Sequence, residues 1–227
     1  MVIFICGESD RGQLLNLTTV TKPAKLVTME TYTPQKRRLA TRQKLIDAAT
    51  QIIDERGYAS LRVEDVVSRA AVAKGTFFSH FDDKDRLMAL LIGQELGRIL
   101  DKIAKGPPPA SIPEFASRLQ PLMDVMRQDR IVFDIVLRFS GAALIETTEL
   151  ISLNFLHQVE LYAGWIKALQ GTVVRDDVDA MLLAEGVQAF VIQVIALDFC
   201  ALHNTVTTQQ RLVPYLEPWL GPVRSVR

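Results

Sequence analysis

The chain is poor in cysteine and histidine and carries no excess of charge of either sign. Its two cysteines, Cys6 and Cys200, lie far apart and form no CxxC or Cys/His spacing. That argues against a zinc module and a disulfide scaffold, and for a reducing cytoplasmic setting with Cys200 as a small core residue. His157, His203 and Asp198 are isolated polar groups, and no helix clusters ligands at a useful spacing, so neither a metal site nor a cofactor is expected. No GxSxG, HExxH, P-loop or ExxH pair occurs, so no catalytic residues are expected and an enzyme built on a helical bundle would lack its reacting groups. The 26 Lys/Arg balance 26 Asp/Glu. This excludes a uniformly basic nucleic-acid coat but leaves room for a basic patch. No apolar run reaches the roughly 18 residues of a membrane helix. The nearest, residues 187–197, contains Gln188 and Gln193, and Val2-Ile3-Phe4-Ile5-Cys6 is too short for a secretory signal. No membrane partner is expected.

Apolar material is ample: 48% of the 227 residues are hydrophobic, enough for the core of one large domain or two small ones. Residues 1–32 show no clear period and read as a flexible arm; a true start at Met29 is the alternative. Beyond them the pattern is helical. Leu45, Ile46, Ala49, Ile52 and Ile53 recur at spacings of three and four, and Gly57 supplies a C-terminal cap. Val63, Val66, Val67 and Ala70 make a second stripe, and residues 74–81 a third short helix. Asp82-Asp83-Lys84-Asp85 is a polar break with capping residues, and a fourth helix is expected over residues 85–103. Gly106-Pro107-Pro108-Pro109 ends it. Ser111-Ile112-Pro113-Glu114 fits a capping box, and Pro121 is expected to kink or end the helix it opens. Further helices are expected over residues 129–144, 147–170 and 176–202, the last two closed by Gly171 and Asn204. No sustained period-two stretch appears, so strands should be absent or minor. Residues 31–86 hold eleven Lys/Arg against eight Asp/Glu, a net of +3, while residues 87–227 hold twelve against fifteen.

Residues 61–80 have the logic of a helix-turn-helix. Two short helices flank Ala71-Val72-Ala73, small residues suit the close crossing, and Val66, Val72, Phe77 and Phe81 can pack the second helix onto the first. The second helix would then present its N-terminal end to the DNA major groove. The segment resembles the tetracycline-repressor (TetR) family. The likeness runs through Thr41-Arg42-Gln43-Lys44-Leu45-Ile46-Asp47-Ala48-Ala49, Glu55-Arg56-Gly57-Tyr58, Ala70-Ala71-Val72-Ala73-Lys74-Gly75-Thr76-Phe77-Phe78-Ser79-His80-Phe81 and Lys84-Asp85-Arg86-Leu87. It covers residues 38–98. The resemblance implies an all-α chain in three parts: the arm of residues 1–32, a three-helix helix-turn-helix domain over residues 33–98, and a ligand-binding and dimerisation bundle over residues 99–227 reached through a connecting helix.

The resemblance also implies roles. Lys74 is placed to reach a guanine edge or a phosphate. Gly75 admits the backbone to DNA, Thr76 offers a hydroxyl and a methyl, and Phe78 offers apolar contact. Ser79 and His80 meet base or phosphate, and Lys84 a phosphate. Phe77 reads as core. Arg37, Arg38 and Arg42 add salt-sensitive affinity from the preceding segment. Four departures stand out. Arg62 occupies a position where a Ser or Thr usually caps the second helix; it can keep a phosphate contact but cannot cap, a loss of about 1 kcal/mol. Ala71 stands where Gly is usual, Ala73 where a Ser or Thr caps the recognition helix, and Phe78 where a Tyr hydroxyl is common.

For the second half the resemblance implies a small-molecule effector and a homodimer that releases a pseudo-palindromic operator in double-stranded DNA when the effector binds. Phe115, Leu119, Met123, Phe133, Leu137, Phe139, Phe155, Trp165 and Phe190 either line an apolar effector pocket or form ordinary bundle core. Glu146, Glu149 and Glu160 read as solvated helix faces. The nearly all-round apolar stretch from Val187 fits a dimer interface. The last segment, with Pro214 and Pro218, is expected to be short, kinked or irregular. An activator or ligand-independent regulator, and a helical adaptor without DNA binding, are the competing readings.

Overall fold

The computed structural model describes residues 32–140, 150–200 and 206–222, with side chains from residue 34. The expected arm of residues 1–32, and the readings attached to Cys6, Met29, Glu146, Glu149, His203 and Asn204, lie outside the described residues apart from Tyr32 itself. Residues 39–227 cluster as one compact unit, with residues 1–38 assigned to another.

The described residues are helical. They comprise α1 (Tyr32–Arg56), one 3-10 turn (Tyr58–Ser60), α2 (Val63–Arg69), α3 (Lys74–Phe78), α4 (Lys84–Ala104), α5 (Ile112–Arg127), α6 (Arg130–Phe139), α7 (Leu150–Leu169), α8 (Ala180–Asp198) and α9 (Thr208–Leu220). An isolated parallel bridge between Gln170 and Val174 stands outside any strand. Gly57 ends α1 at φ 78°, a conformation that favours glycine. Side-chain caps fix most later starts. Asp83 accepts from the Arg86 N–H, Ser111 from Glu114, Asp129 from Ile131, and Asp179 from Met181 and Leu182. At α5 the box is displaced by one residue, since Glu114 accepts from the Ala110 N–H rather than from Ser111.

α4 joins the two ends of the fold. Leu87, Met88, Leu91, Ile92, Leu96, Ile99 and Leu100 are buried along it, in the same core cluster as Leu45, Ile52, Phe77 and Phe81 below and as Phe115, Leu119, Val132 and Ile166 above. α7 approaches α4 closely because Gly93 lacks a side chain: a Cβ there would sit 2.7 Å from the Leu150 Cβ. Asn154 then donates to the Gly93 carbonyl at 2.7 Å. α6 faces the helix-turn-helix end. Arg138 pairs with Asp85, and Arg86 lies over the Phe139 ring at 5.0 Å.

Four expectations about prolines and helix ends are corrected, that for Pro121 only in that its helix does not end there. α5 does not end at Pro121 but continues to Arg127. Pro121 and Ser117, whose carbonyl loses its helical donor, are both exposed, so water can serve that oxygen while Leu122, Met123 and Met126 are buried. The last segment is likewise a continuous helix, opened by a full capping box between Thr207 and Gln210. Its buried stripe is Thr208, Leu212, Leu216 and Leu220, whereas Gln210, Pro214 and Pro218 share the exposed side. Both prolines therefore interrupt only solvent-facing hydrogen bonds. α8 starts at Ala180 rather than residue 176, because Asp179 caps it and the preceding turn is held by the Arg175 N–H donating to the Leu220 carbonyl at 2.8 Å. α6 ends at Phe139, with Ser140 as its cap. Cys200 follows α8 and is half-buried rather than a core residue.

α8 is by length and composition apolar enough to cross a bilayer, a weak indication by itself. Its Leu183, Ala184, Val187, Val191, Val194 and Ile195 face the bundle core.

Candidate nucleic-acid interface

The turn between α2 and α3 is closed by the backbone. The Val72 N–H donates to the Val67 carbonyl at 3.0 Å, and the Ala71 N–H to Ser68 at 3.2 Å. This is the paired bonding of a Schellman end, whose first residue beyond the cap takes a left-handed backbone. Here that residue is Ala71, at φ 54°, the one non-glycine residue with positive φ among those described. A left-handed conformation costs a non-glycine residue about 1–2 kcal/mol, and glycine gives back about 0.5–1 kcal/mol in unfolded-state freedom. Ala71→Gly is therefore expected to stabilise the fold by roughly 0.5–1 kcal/mol, read as a higher urea midpoint at unchanged slope. A lower midpoint would mean that the Ala71 methyl contributes more than its strain costs.

The starts of both helices lack side-chain caps. Arg62 precedes α2 and Ala73 precedes α3, and neither makes a capping hydrogen bond. α3 is seated through Phe77, which is fully buried and packs edge-on against Phe78 at 5.3 Å and near Phe81 at 5.6 Å. Seating Phe77 turns the rest of α3 outward. Lys74, Gly75, Phe78 and Ser79 are exposed, and Thr76 and His80 are half-buried. Nothing lies within 4 Å of where a Gly75 Cβ would sit, so its backbone is open to approach. Phe78 presents a ring that is 49% exposed, an unusual surface position for a phenylalanine. The Ser79 hydroxyl donates to the Thr76 carbonyl at 2.7 Å, so its proton is committed while its oxygen can still accept.

Electrostatics around α3 were only partly legible in the sequence. Lys74 Nζ contacts Glu64 Oε1 of α2 at 2.6 Å, with both side chains well exposed. That hydrogen bond, first among its causes, holds the Glu64 carboxyl below its ordinary range. Arg69 grips Glu55 of α1 with two bonds, at 2.6 and 2.8 Å, and lowers the Glu55 pKa in the same way. Sequence reasoning missed both pairs, because their members lie ten and fourteen residues apart on different helices. Arg42 is committed within the fold: it donates to the His80 carbonyl at 2.7 Å and lies 4.2 Å over the Phe81 ring. It thereby ties α1 to the exit of α3. Lys36, Arg37 and Arg38 are exposed on α1, Arg62 is exposed, and Lys84 is half-buried at the start of α4.

Among the described residues, those considered for an effector pocket fall in different places. Phe115, Leu119, Met123, Phe133 and Trp165 are buried core. Phe115 meets Trp165 edge-on at 5.2 Å and Tyr162 at 5.8 Å, and Phe133 stacks on Phe199 at 5.7 Å. Phe190 is elsewhere, stacked on Tyr215 at 5.4 Å beside Trp219. Leu137 and Phe155 line an open groove of about 480 Å³ between α6, α7 and α8, together with Leu156, Val159, Gln188 and Ile192. Asp198 is paired with Arg127 at 2.9 Å. Among the described residues no three of His, Cys, Asp and Glu converge as metal ligands.

The comparisons with known proteins agree with this geometry. The family model for bacterial regulatory proteins of the tetR family matches residues 45–91, the span from the middle of α1 to the first turns of α4. The HTH-type transcriptional repressor DhaR of Mycobacterium sp. (strain GP1) is 26% identical over 61% of this chain and 83% of its own. The fatty acid metabolism regulator protein of Bacillus subtilis (strain 168) is 24% identical over 73% of this chain and 81% of its own. Among solved structures, Thermus thermophilus FadR, a TetR-family transcriptional repressor in complex with lauroyl-CoA, superposes with a TM-score of 0.57 at 16% identity. It covers 78% of this chain and 92% of its own, a likeness of fold. The matching family model places residues 45–91 in the tetR family of bacterial regulatory proteins, and an outward-facing α3 held by Phe77 agrees with it.

Proposed function

We propose that the chain is a homodimeric transcriptional repressor that binds a pseudo-palindromic operator through α3 and leaves it when a small, largely apolar effector binds the helical bundle. The observation that carries this reading is the outward face of α3: Lys74, Gly75, Phe78 and Ser79 are exposed and Thr76 is half-buried, while Phe77 alone is buried and anchors the helix. A surface of this shape fits a major groove, and its hydroxyls and ammonium group suit base edges and phosphates. Arg62, His80 and Lys84 flank it, with Arg42 behind it as a brace. Residues 33–98 form the DNA-binding domain in this reading and residues 99–227 the effector and dimer domain, with the cytoplasm as the site of action.

Dimerisation finds support on α8. Its outer side carries Leu182, Ala189 and Ala196 in the open, with Met181 beside them and Glu185 and Gln193 between them. An exposed helix face of small and apolar residues interspersed with two polar ones supports packing against a second copy. Two copies must set their α3 helices about 34–36 Å apart to read adjacent major grooves. The effector chemistry draws on the relatives. The Thermus repressor binds lauroyl-CoA, so a bundle of this architecture can accept an apolar chain.

Selection of a random duplex library with the purified protein, at two salt concentrations, tests the reading. Enrichment of a pseudo-palindrome, weaker at the higher salt, is the expected result. A folded protein that enriches no sequence at either salt would overturn it.

A further inference from the structure

α7 buries one polar side chain among apolar ones. Its inward stripe runs Ile151, Gln158, Tyr162, Trp165, Ile166 and Leu169. Gln158 is 1% exposed. Its Oε1 accepts the Tyr162 hydroxyl at 3.1 Å, but its Nε2 has no hydrogen-bond partner. It is the one such side-chain atom found among the described residues. The other buried polar side chain, Thr208, is bonded to Gln120. An amide flip does not cure the mismatch: it would give Nε2 the Tyr162 oxygen, leave the Gln158 oxygen bare and strand the phenolic proton. A buried donor without an acceptor is costly, and folded proteins keep few of them.

The surroundings say what kind of acceptor fits. Tyr162 is fully buried, and burial pushes its phenol far above the ordinary range, so it stays a hydroxyl. It belongs to an aromatic cluster with Phe115 and Trp165. The guanidinium beside that cluster, Arg118 at 5.8 Å from the Trp165 ring, is already bonded to Glu114 and to the Pro107 carbonyl. It is committed to those partners, and a buried anion without a cation of its own would be expensive to desolvate. Phe155 and Val159, three residues before and one after Gln158 on α7, line the open groove between α6, α7 and α8. The groove runs along the neighbouring face of α7; Gln158 and the aromatic cluster do not line it, so a molecule seated there reaches Nε2 only as the side chains between them part.

We propose that the Gln158 carboxamide is the polar anchor of the effector site, and that it selects an uncharged, mainly apolar molecule bearing one oxygen acceptor. The proposal rests on the effector reading above. Bound there, the molecule's oxygen accepts from Nε2, and the aromatic cluster borders its apolar body.

A matched pair of probes isolates the hydrogen bond: acetophenone, and α-methylstyrene, which has a methylene in place of the carbonyl oxygen. Binding to the full chain is followed by tryptophan fluorescence, with benzoate as the charged comparison. Wild-type protein is expected to bind acetophenone about tenfold more tightly than α-methylstyrene, the worth of one buried neutral hydrogen bond, and benzoate more weakly than acetophenone. Gln158→Leu is expected to lose that preference while binding α-methylstyrene at least as well, and without ligand to melt no lower than wild type. Equal affinity for the pair, no saturable binding of either, a preference that survives Gln158→Leu, or a lower melting point of that variant would each overturn the anchor. Operator selection without any probe reports separately on the repressor reading, so the two can fail independently.

Discussion

Gly186→Ala is expected to destabilise the protein, and to stabilise it when Trp219 is also replaced by alanine. Gly186 lies inside α8, where alanine normally gains about 1 kcal/mol over glycine. A Cβ at this position, however, would sit 2.4–2.5 Å from three atoms of the Trp219 indole. That ring cannot simply swing aside. Its Nε1–H donates to the Leu183 carbonyl at 2.9 Å, and its edge meets Phe190, which is itself stacked on Tyr215. Overpacking of this kind costs about 1–3 kcal/mol, occasionally more. The net expectation is a loss of up to about 2 kcal/mol, which lowers the melting temperature by up to several degrees for a chain of this size. With Trp219→Ala as the background the clash is gone and only the helix preference remains, so the same change should raise stability by roughly 0.5–1 kcal/mol. Thermal and urea unfolding of the four proteins at one concentration give the cycle. A cycle with no sign reversal would mean that α8 and α9 do not meet through this glycine.

The helix-turn-helix was legible because its determinants are local. The small residues at Ala70, Ala71 and Ala73, the apolar positions Val66, Phe77 and Phe81, and the cap at Asp83 all act within a few residues of where they stand in sequence. That the proline-bearing helices run on without ending has a physical reason. What a helical proline costs depends on whether the carbonyl it strands meets water. Pro121, Pro214 and Pro218 all fall on exposed faces, and the sequence reading counted prolines without assigning them a face. The effector residues show a different limit. Periodicity finds inward positions, and Phe115, Leu119 and Trp165 are indeed inward. It does not separate a filled core from a cavity, and it placed Leu137, which faces a groove, beside Phe115, which does not. The one signal passed over was Gln158, a polar residue seven positions from both Ile151 and Trp165 on the buried stripe of α7.

Lys74 carries the largest expected effect on DNA binding, and Glu64 should oppose it. In the free protein the ammonium group is held by Glu64 across the turn at 2.6 Å, so engagement of DNA must break that contact. Lys74→Ala is expected to weaken operator binding by about 1–3 kcal/mol, roughly 5- to 150-fold. Glu64→Gln is expected to strengthen it, because it frees the lysine and removes a negative charge beside the phosphates. The Glu64 pKa is lowered, so the carboxylate stays ionised at every pH above its ordinary range and mild acid will not relieve the competition. Salt titration then assigns the contact. If Lys74 meets a phosphate, Lys74→Ala lowers the slope of log affinity against log salt by about one and weakens all sequences alike. If it meets a guanine edge, discrimination at one base pair of each half-site relaxes instead. Unchanged affinity in Lys74→Ala would exclude both contacts and also a bracing role for the Glu64–Lys74 pair, since that variant breaks the pair as well. A brace between α2 and α3 predicts instead that Lys74→Ala and Glu64→Gln both weaken binding, so the two substitutions together decide what the lysine does.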